Sequence, residues 1–203
     1  MGYILEFYSL NWSELQSLLR SGDESTIKAT LEASERIFRG EPRADVDWKG
    51  ALRDLITGSR GKQLAARGAE PLGLMPEEPS PAEALAIVAI LRAHFNQTGE
   101  IIHTTRGGPK FRHMFNASFK PAIFNSMNLL ELLLERPLFG LLSHGYPSWG
   151  GLKREEIAKL LGLRTLDNLP PIRDTDYEVW LYELCQVLLD VQSYQTDLIT
   201  LYL

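Results

Sequence analysis

Two stretches decide how this chain folds: YILEFYSL, Tyr3 to Leu10, and TDLITLYL, Thr196 to Leu203. The first is dense in aromatic and β-favouring side chains and is largely apolar on both faces, as in a buried strand. The second alternates Ile199, Leu201 and Leu203 with Leu198, Thr200 and Tyr202, which is a strand pattern. An apolar strand left with an open edge invites aggregation, so the two are expected to pair with each other. The sequence between them is mostly helical in period. The fold class that follows is α+β: a mainly helical single domain over residues 1–203, with a small sheet pairing the N-terminal and C-terminal strands.

Moving inward, Asn11 with Glu14 three residues later makes a capping-box pattern ahead of a short helix, whose stripe is Trp12, Leu15, Leu18 and Leu19. Gly22 ends it, and a second helix turns Ile27, Leu31, Ser34 and Phe38 inward. A third, from about Asp45 to Thr57, puts Trp48, Leu52, Leu55 and Ile56 on one side and Lys49, Arg53 and Asp54 on the other. Gly58 is a natural stop for it. Residues 59–79 then carry Arg60, Lys62, Arg67, Gly68, Pro71, Gly73, Pro76 and Pro79, which predicts a flexible Pro/Gly-rich loop or lid.

Ser80-Pro81-Ala82-Glu83 is the strongest helix start in the chain: a capping serine, a proline at the first helical position and a glutamate able to reach back. The helix it opens, Ala82–Asn96, has almost no charge beyond Glu83 and Arg92 and is expected to be the most buried, with Gly99 ending it. Glu100–Phe119 reads as a turn between short strands or an irregular excursion. Asn125–Glu135 and Lys153–Leu161 read as helices, and a long last helix spans about Thr175–Tyr194.

Bulk composition excludes more than it promotes. The chain has 203 residues, is 44% apolar and 23% charged, and carries a net charge of −5, which gives ample material for a core. That balance does not favour nucleic acid, whose binders gain affinity by neutralising phosphates with Lys and Arg. Cys185 is the sole cysteine, so neither an intrachain disulfide nor a thiolate zinc site can form. The opening MGYILEFYSLNW lacks the pattern of a signal peptide, and no apolar run approaches the ~20 residues needed to span a bilayer. A cytoplasmic location is expected, with no membrane association.

The polar candidates fall in two places. In TTRGGPK, Thr104 to Lys110, two glycines lie beside Arg106 and Lys110, and backbone N–H groups with such cations can hold a phosphate. His103 and His113 flank that turn; with Arg112 they would form a cationic cluster suited to a carboxylate, a phosphate or an acidic partner surface. A solvated hairpin turn explains the same residues more simply. The second place is LLSHGYPSWGGL, Leu141 to Leu152. Gly145, Pro147, Gly150 and Gly151 are turn formers, so a packed corner between two helices is the favoured reading. The competing one makes Tyr146, Ser148 and Trp149 a pocket wall beside His144. Ser148 is not in a nucleophile-elbow context. The histidines have no metal-ligand spacing, so no metal and no cofactor is expected. Cys185 reads as a buried, inert thiol.

The segments GYILEFYSLNWSELQSLL, DWKGALRDLITG and RPLFGLLSHGYPSWGGLKREEI, with a final strand after a long helix, resemble an uncharacterised bacterial group, the YfbM-like family of unknown function. That resemblance implies a bacterial, compact, cytoplasmic protein and carries no activity or site residues. The reading that follows is a non-enzymatic binding or interaction protein, immunity-like or an accessory factor, with a basic surface or a toxin as partner. The alternative is an enzyme with an unrecognised pocket around His103, His113 and His144. A third is a helix-turn-helix-like regulator built on LKREEIAKLLGL, whose proline-containing continuation suits the motif poorly.

Overall fold

A computed structural model describes residues 2–37, 46–67, 77–104, 129–142, 147–163 and 176–203. The two end segments pair as their patterns require. Strand β1 (Gly2–Leu10) and strand β4 (Asp197–Tyr202) are the inner strands of a four-stranded antiparallel sheet. Strand β2 (Asn96–Thr104) lies outside β1 and strand β3 (Ser148–Leu152) outside β4, giving the order β2-β1-β4-β3. Ile4 and Leu203 exchange two backbone hydrogen bonds of 2.9 Å each, which fixes the antiparallel register of the central pair. In the outer pair Trp149 lies opposite Leu201 and Leu152 opposite Leu198.

Among the described residues there are eight helices: α1 (Trp12–Arg20), α2 (Glu24–Ile37), α3 (Trp48–Ile56), α4 (Ser59–Arg67), α5 (Pro81–His94), α6 (Leu129–Leu134), α7 (Arg154–Leu163) and α8 (Asp176–Ser193). The chain divides into two compact units, each gathered from distant segments, where the sequence reads as one domain. The first comprises Met1–Ser9, Gln97–Arg136 and Ser148–Leu203, and the second Leu10–Asn96 and Pro137–Pro147.

The first unit is organised by the sheet. Leu5, Phe7 and Leu198 share a core with Leu129, Leu132 and Leu133 of α6, Ile157 and Leu160 of α7, and Leu184, Leu188 and Val191 of α8. Burying each such side chain contributes roughly 1.5–3 kcal/mol. Cys185 lies in this core, as its place beside the apolar stripe predicts. The opposite face is buried too, since Ile199, Leu201 and Trp149 are fully covered. Sheets buried on both faces read as continuous apolar runs, which is the pattern of β1 and β4.

The end of the stretch read as a corner between helices, Ser148–Leu152, is the edge strand β3, and residues 143–146 lie outside the described residues. Gly150 serves closeness rather than turning. A Cβ on Gly150 would overlap the carbonyl oxygens of Leu132 and Leu133 at the end of α6. The Thr200 hydroxyl, opposite Gly150 in the register, donates to the Leu133 carbonyl. Gly99 likewise extends β2 rather than ending a helix, and a Cβ there would come within 2.6 Å of Val187 on α8. Residues 105–119 lie outside the described residues.

The second unit is helical. The Ser80–Glu83 capping box forms as read: the Glu83 N–H donates to the Ser80 hydroxyl at 3.2 Å, and the Ser80 N–H donates to the Glu83 carboxylate at 2.8 Å. Behind that cap α5 buries Ala84 and every residue from Ala86 to Leu91, and it packs against α2 and α3. At the start of α1, Glu14 accepts from the Asn11 N–H at 3.4 Å. Trp48, Leu52, Leu55 and Ile56 of α3 are buried as their spacing predicts. Ser59–Arg67, the first part of the stretch read as a loop or lid, is helix α4. It packs against α1 and α3 through Leu64 and Gly61, and a Cβ on Gly61 would strike the Leu55 and Leu19 carbonyl oxygens. Residues 68–76 lie outside the described residues.

Candidate functional site

Of the candidate site residues singled out from sequence, the structure places three: His103, Ser148 and Trp149. His103 is part of the backbone of β2. Trp149 is fully buried on β3, opposite Leu201, so its ring belongs to the interior of the sheet. Arg106, Lys110, Arg112, His113, His144 and Tyr146 lie outside the described residues. Ser148, on the same strand, is buried at 9% exposure.

The most enclosed charged side chain among the described residues, passed over by sequence reasoning, is on β1. Glu6 and Tyr8, two residues apart, project from the same face of the strand. Both are buried, at 5% and 1% exposure, and the Tyr8 hydroxyl donates to the Glu6 carboxylate at 2.7 Å. Burying a carboxylate is costly unless hydrogen bonds and charge compensate it. The signal was there to be read: Glu6 is the one charged residue in YILEFYSL, and a tyrosine follows at strand spacing.

Three further clusters hold polar side chains that are partly shielded from water. In the second unit Arg60 reaches Glu83 at 2.6 Å and Glu77 at 3.0 Å. Burial works against the Arg60 charge, but the hydrogen bonds that Arg60 donates to these carboxylates outweigh it and raise the guanidinium pKa. Glu83 is pushed up by burial and, more strongly in sum, pulled down by Ser80 and Arg60, so it stays ionised. In the first unit Arg136 bonds Glu156 at 2.6 Å and the Gly151 carbonyl at 3.1 Å, tying α7 to the edge strand. Glu156 also accepts the Lys153 N–H at 2.7 Å, which caps α7. Burial, with Arg136 nearby, holds the Lys153 ammonium below its ordinary range despite Asp197 at 3.8 Å.

The third cluster pairs His94 with Thr30. The Thr30 hydroxyl donates to the Thr26 carbonyl at 2.8 Å and lies 2.7 Å from His94 Nε2. The ring's tautomer sets which of the two donates across this contact, and the His94 ring also bonds the Thr26 backbone. Burial lowers the His94 pKa, which keeps the ring neutral near pH 7.

Each cluster joins segments distant in sequence, and each satisfies polar groups that packing would otherwise strand. Among the described residues no group of three or more His, Cys, Asp or Glu side chains is placed to hold a metal ion. No described helix is long and apolar enough to cross a membrane. Compared with family models, with curated proteins and with solved structures, the chain finds no match.

Proposed function

We propose that this is a non-enzymatic binding protein of the bacterial cytoplasm that captures a basic protein partner, in the manner of an immunity protein or accessory factor. One observation carries the reading. The partly shielded charges of Arg60, Glu83, Arg136, Glu156, Lys153 and Asp197 close on partners within the fold. The net charge of −5 then acts as a field that draws in a positive surface. The YfbM-like resemblance belongs to this proposal and adds a bacterial setting. In-cell cross-linking of the tagged chain, followed by reconstitution with the purified cross-linked protein, tests it. The expected result is a stoichiometric complex with a protein of high pI, weakening as salt is raised. A partner bound equally well at high salt contradicts the charge argument, and recovery of the chain without any partner contradicts the reading as a whole.

A second reading, an enzyme, is favoured by the Glu6–Tyr8 pair, because a buried carboxylate bonded to a phenol is a recurring acid–base arrangement. The pocket around His103, His113 and His144 would have to open beside it. Screening hydrolase and transferase substrates with the native chain and with Glu6→Gln tests this: activity lost in the variant supports the enzyme, and none in either rejects it. The helix-turn-helix reading retains a well-formed α7, and a mobility-shift assay with random duplex DNA at low salt disposes of it if no retardation occurs.

A further inference from the structure

The residues Leu138-Phe139-Gly140-Leu141 form a tight hairpin turn. The Leu138 N–H donates to the Leu141 carbonyl and the Leu141 N–H to the Leu138 carbonyl, both at 2.9 Å. The two central residues have φ of +54° and +76°. Glycine takes that geometry without steric cost; a phenylalanine does not. Phe139 is held there by packing, since it is 5% exposed and its ring meets Trp12 at 5.8 Å between centroids.

The backbone of Glu77 brackets the turn. Its N–H donates to the Gly140 carbonyl at 2.8 Å, and its carbonyl accepts from the Leu142 N–H at 2.9 Å. Its carboxylate bonds Arg60, and Arg60 in turn bonds Glu83 in the cap of α5. A backbone conformation that favours release is thus balanced by the burial of Leu138, Phe139 and Leu141 and by a bracket anchored through a half-exposed ion pair.

We infer that this turn is a strained latch: it opens as a unit of its own, lifting Phe139 from Trp12 while α5 stays folded, and the Arg60–Glu77 pair holds it shut. Opening lets Phe139 return to negative φ, so strain that disfavours the closed form lowers the cost of local release. The device stands on the turn geometry and does not depend on the partner proposed above.

Native-state hydrogen exchange on the full chain tests it. The amides of Glu77, Leu138, Leu141 and Leu142 report the latch, and the amide of Leu91 in α5 reports the surrounding core. The latch amides are expected to exchange together, at least tenfold faster than Leu91 and with little dependence on low denaturant. Glu77→Gln removes a surface charge and keeps the backbone bracket. It should speed the latch amides severalfold and leave Leu91 unchanged. Latch amides that exchange at the Leu91 rate and with its denaturant dependence would overturn the inference. So would latch rates untouched by Glu77→Gln.

Discussion

The two units use the same glycine device in unlike settings. In the first, Gly150 sits on an edge strand and gives room to the Leu132 and Leu133 carbonyls ending α6. In the second, Gly61 sits in the first turn of α4 and gives room to carbonyls from two helices, Leu55 of α3 and Leu19 of α1. Helix ends leave carbonyls without intrahelical partners, and these must find donors. The sheet unit supplies the Thr200 hydroxyl to Leu133, whereas the helical unit supplies the Gly22 N–H to the Ile56 carbonyl at 3.0 Å. At these two positions a glycine inside a regular element marks where backbone meets backbone, and it does not mark where the element stops.

Gly150→Ala should show the largest effect, because the added carbon meets backbone that no rotamer change can move aside. A loss of about 3 kcal/mol is expected, read by chemical denaturation. A change near zero would mean that α6 and β3 lie further apart than described. Gly61→Ala should cost less, about 1–2 kcal/mol, since a similar collision is partly offset by the better helix propensity of alanine. If Gly61→Ala stabilises the protein, α4 does not rest on the ends of α1 and α3.

The polar clusters sharpen the contrast at smaller scale. Arg136→Met keeps the stem but strands Glu156 beside the edge strand, and about 1–2 kcal/mol should be lost. Adding Glu156→Gln to that variant should recover part of the loss; no recovery would mean that the pair is incidental. The smallest effect concerns His94. Burial lowers its pKa in the folded state, so the unfolded chain binds a proton more readily as pH falls through about 6.5. Stability should therefore decline below that pH, and His94→Gln should flatten this part of the stability–pH curve. Unchanged curvature in the variant would remove His94 as the cause.

What the sequence made legible was set by periodicity. The strands at Tyr3–Leu10 and Thr196–Leu203, the Ser80 cap and the α3 stripe follow from local pattern, and all four are present. What it hid were elements justified by partners far away in the chain. SWGGL becomes a strand because β4 and α6 receive it, and SRGKQLAAR is a helix that packs on α1 and α3 through buried Leu64. The candidate site was the least legible. Trp149, favoured as a packed anchor and only alternatively as a pocket wall, is interior, while Glu6 was masked by the apolar residues around it.

The central claim is that the first and last strands of this sequence form the inner pair of the sheet, on which the core of the first unit rests. Residue-resolved hydrogen exchange at Ile4 and Leu203 tests it most directly, because these two amides donate across the β1–β4 seam. Both should be protected to a similar degree and lose protection together when Leu198→Ala weakens the shared core. Exchange at unprotected rates at either position, with the amides of α5 still protected, would contradict the account.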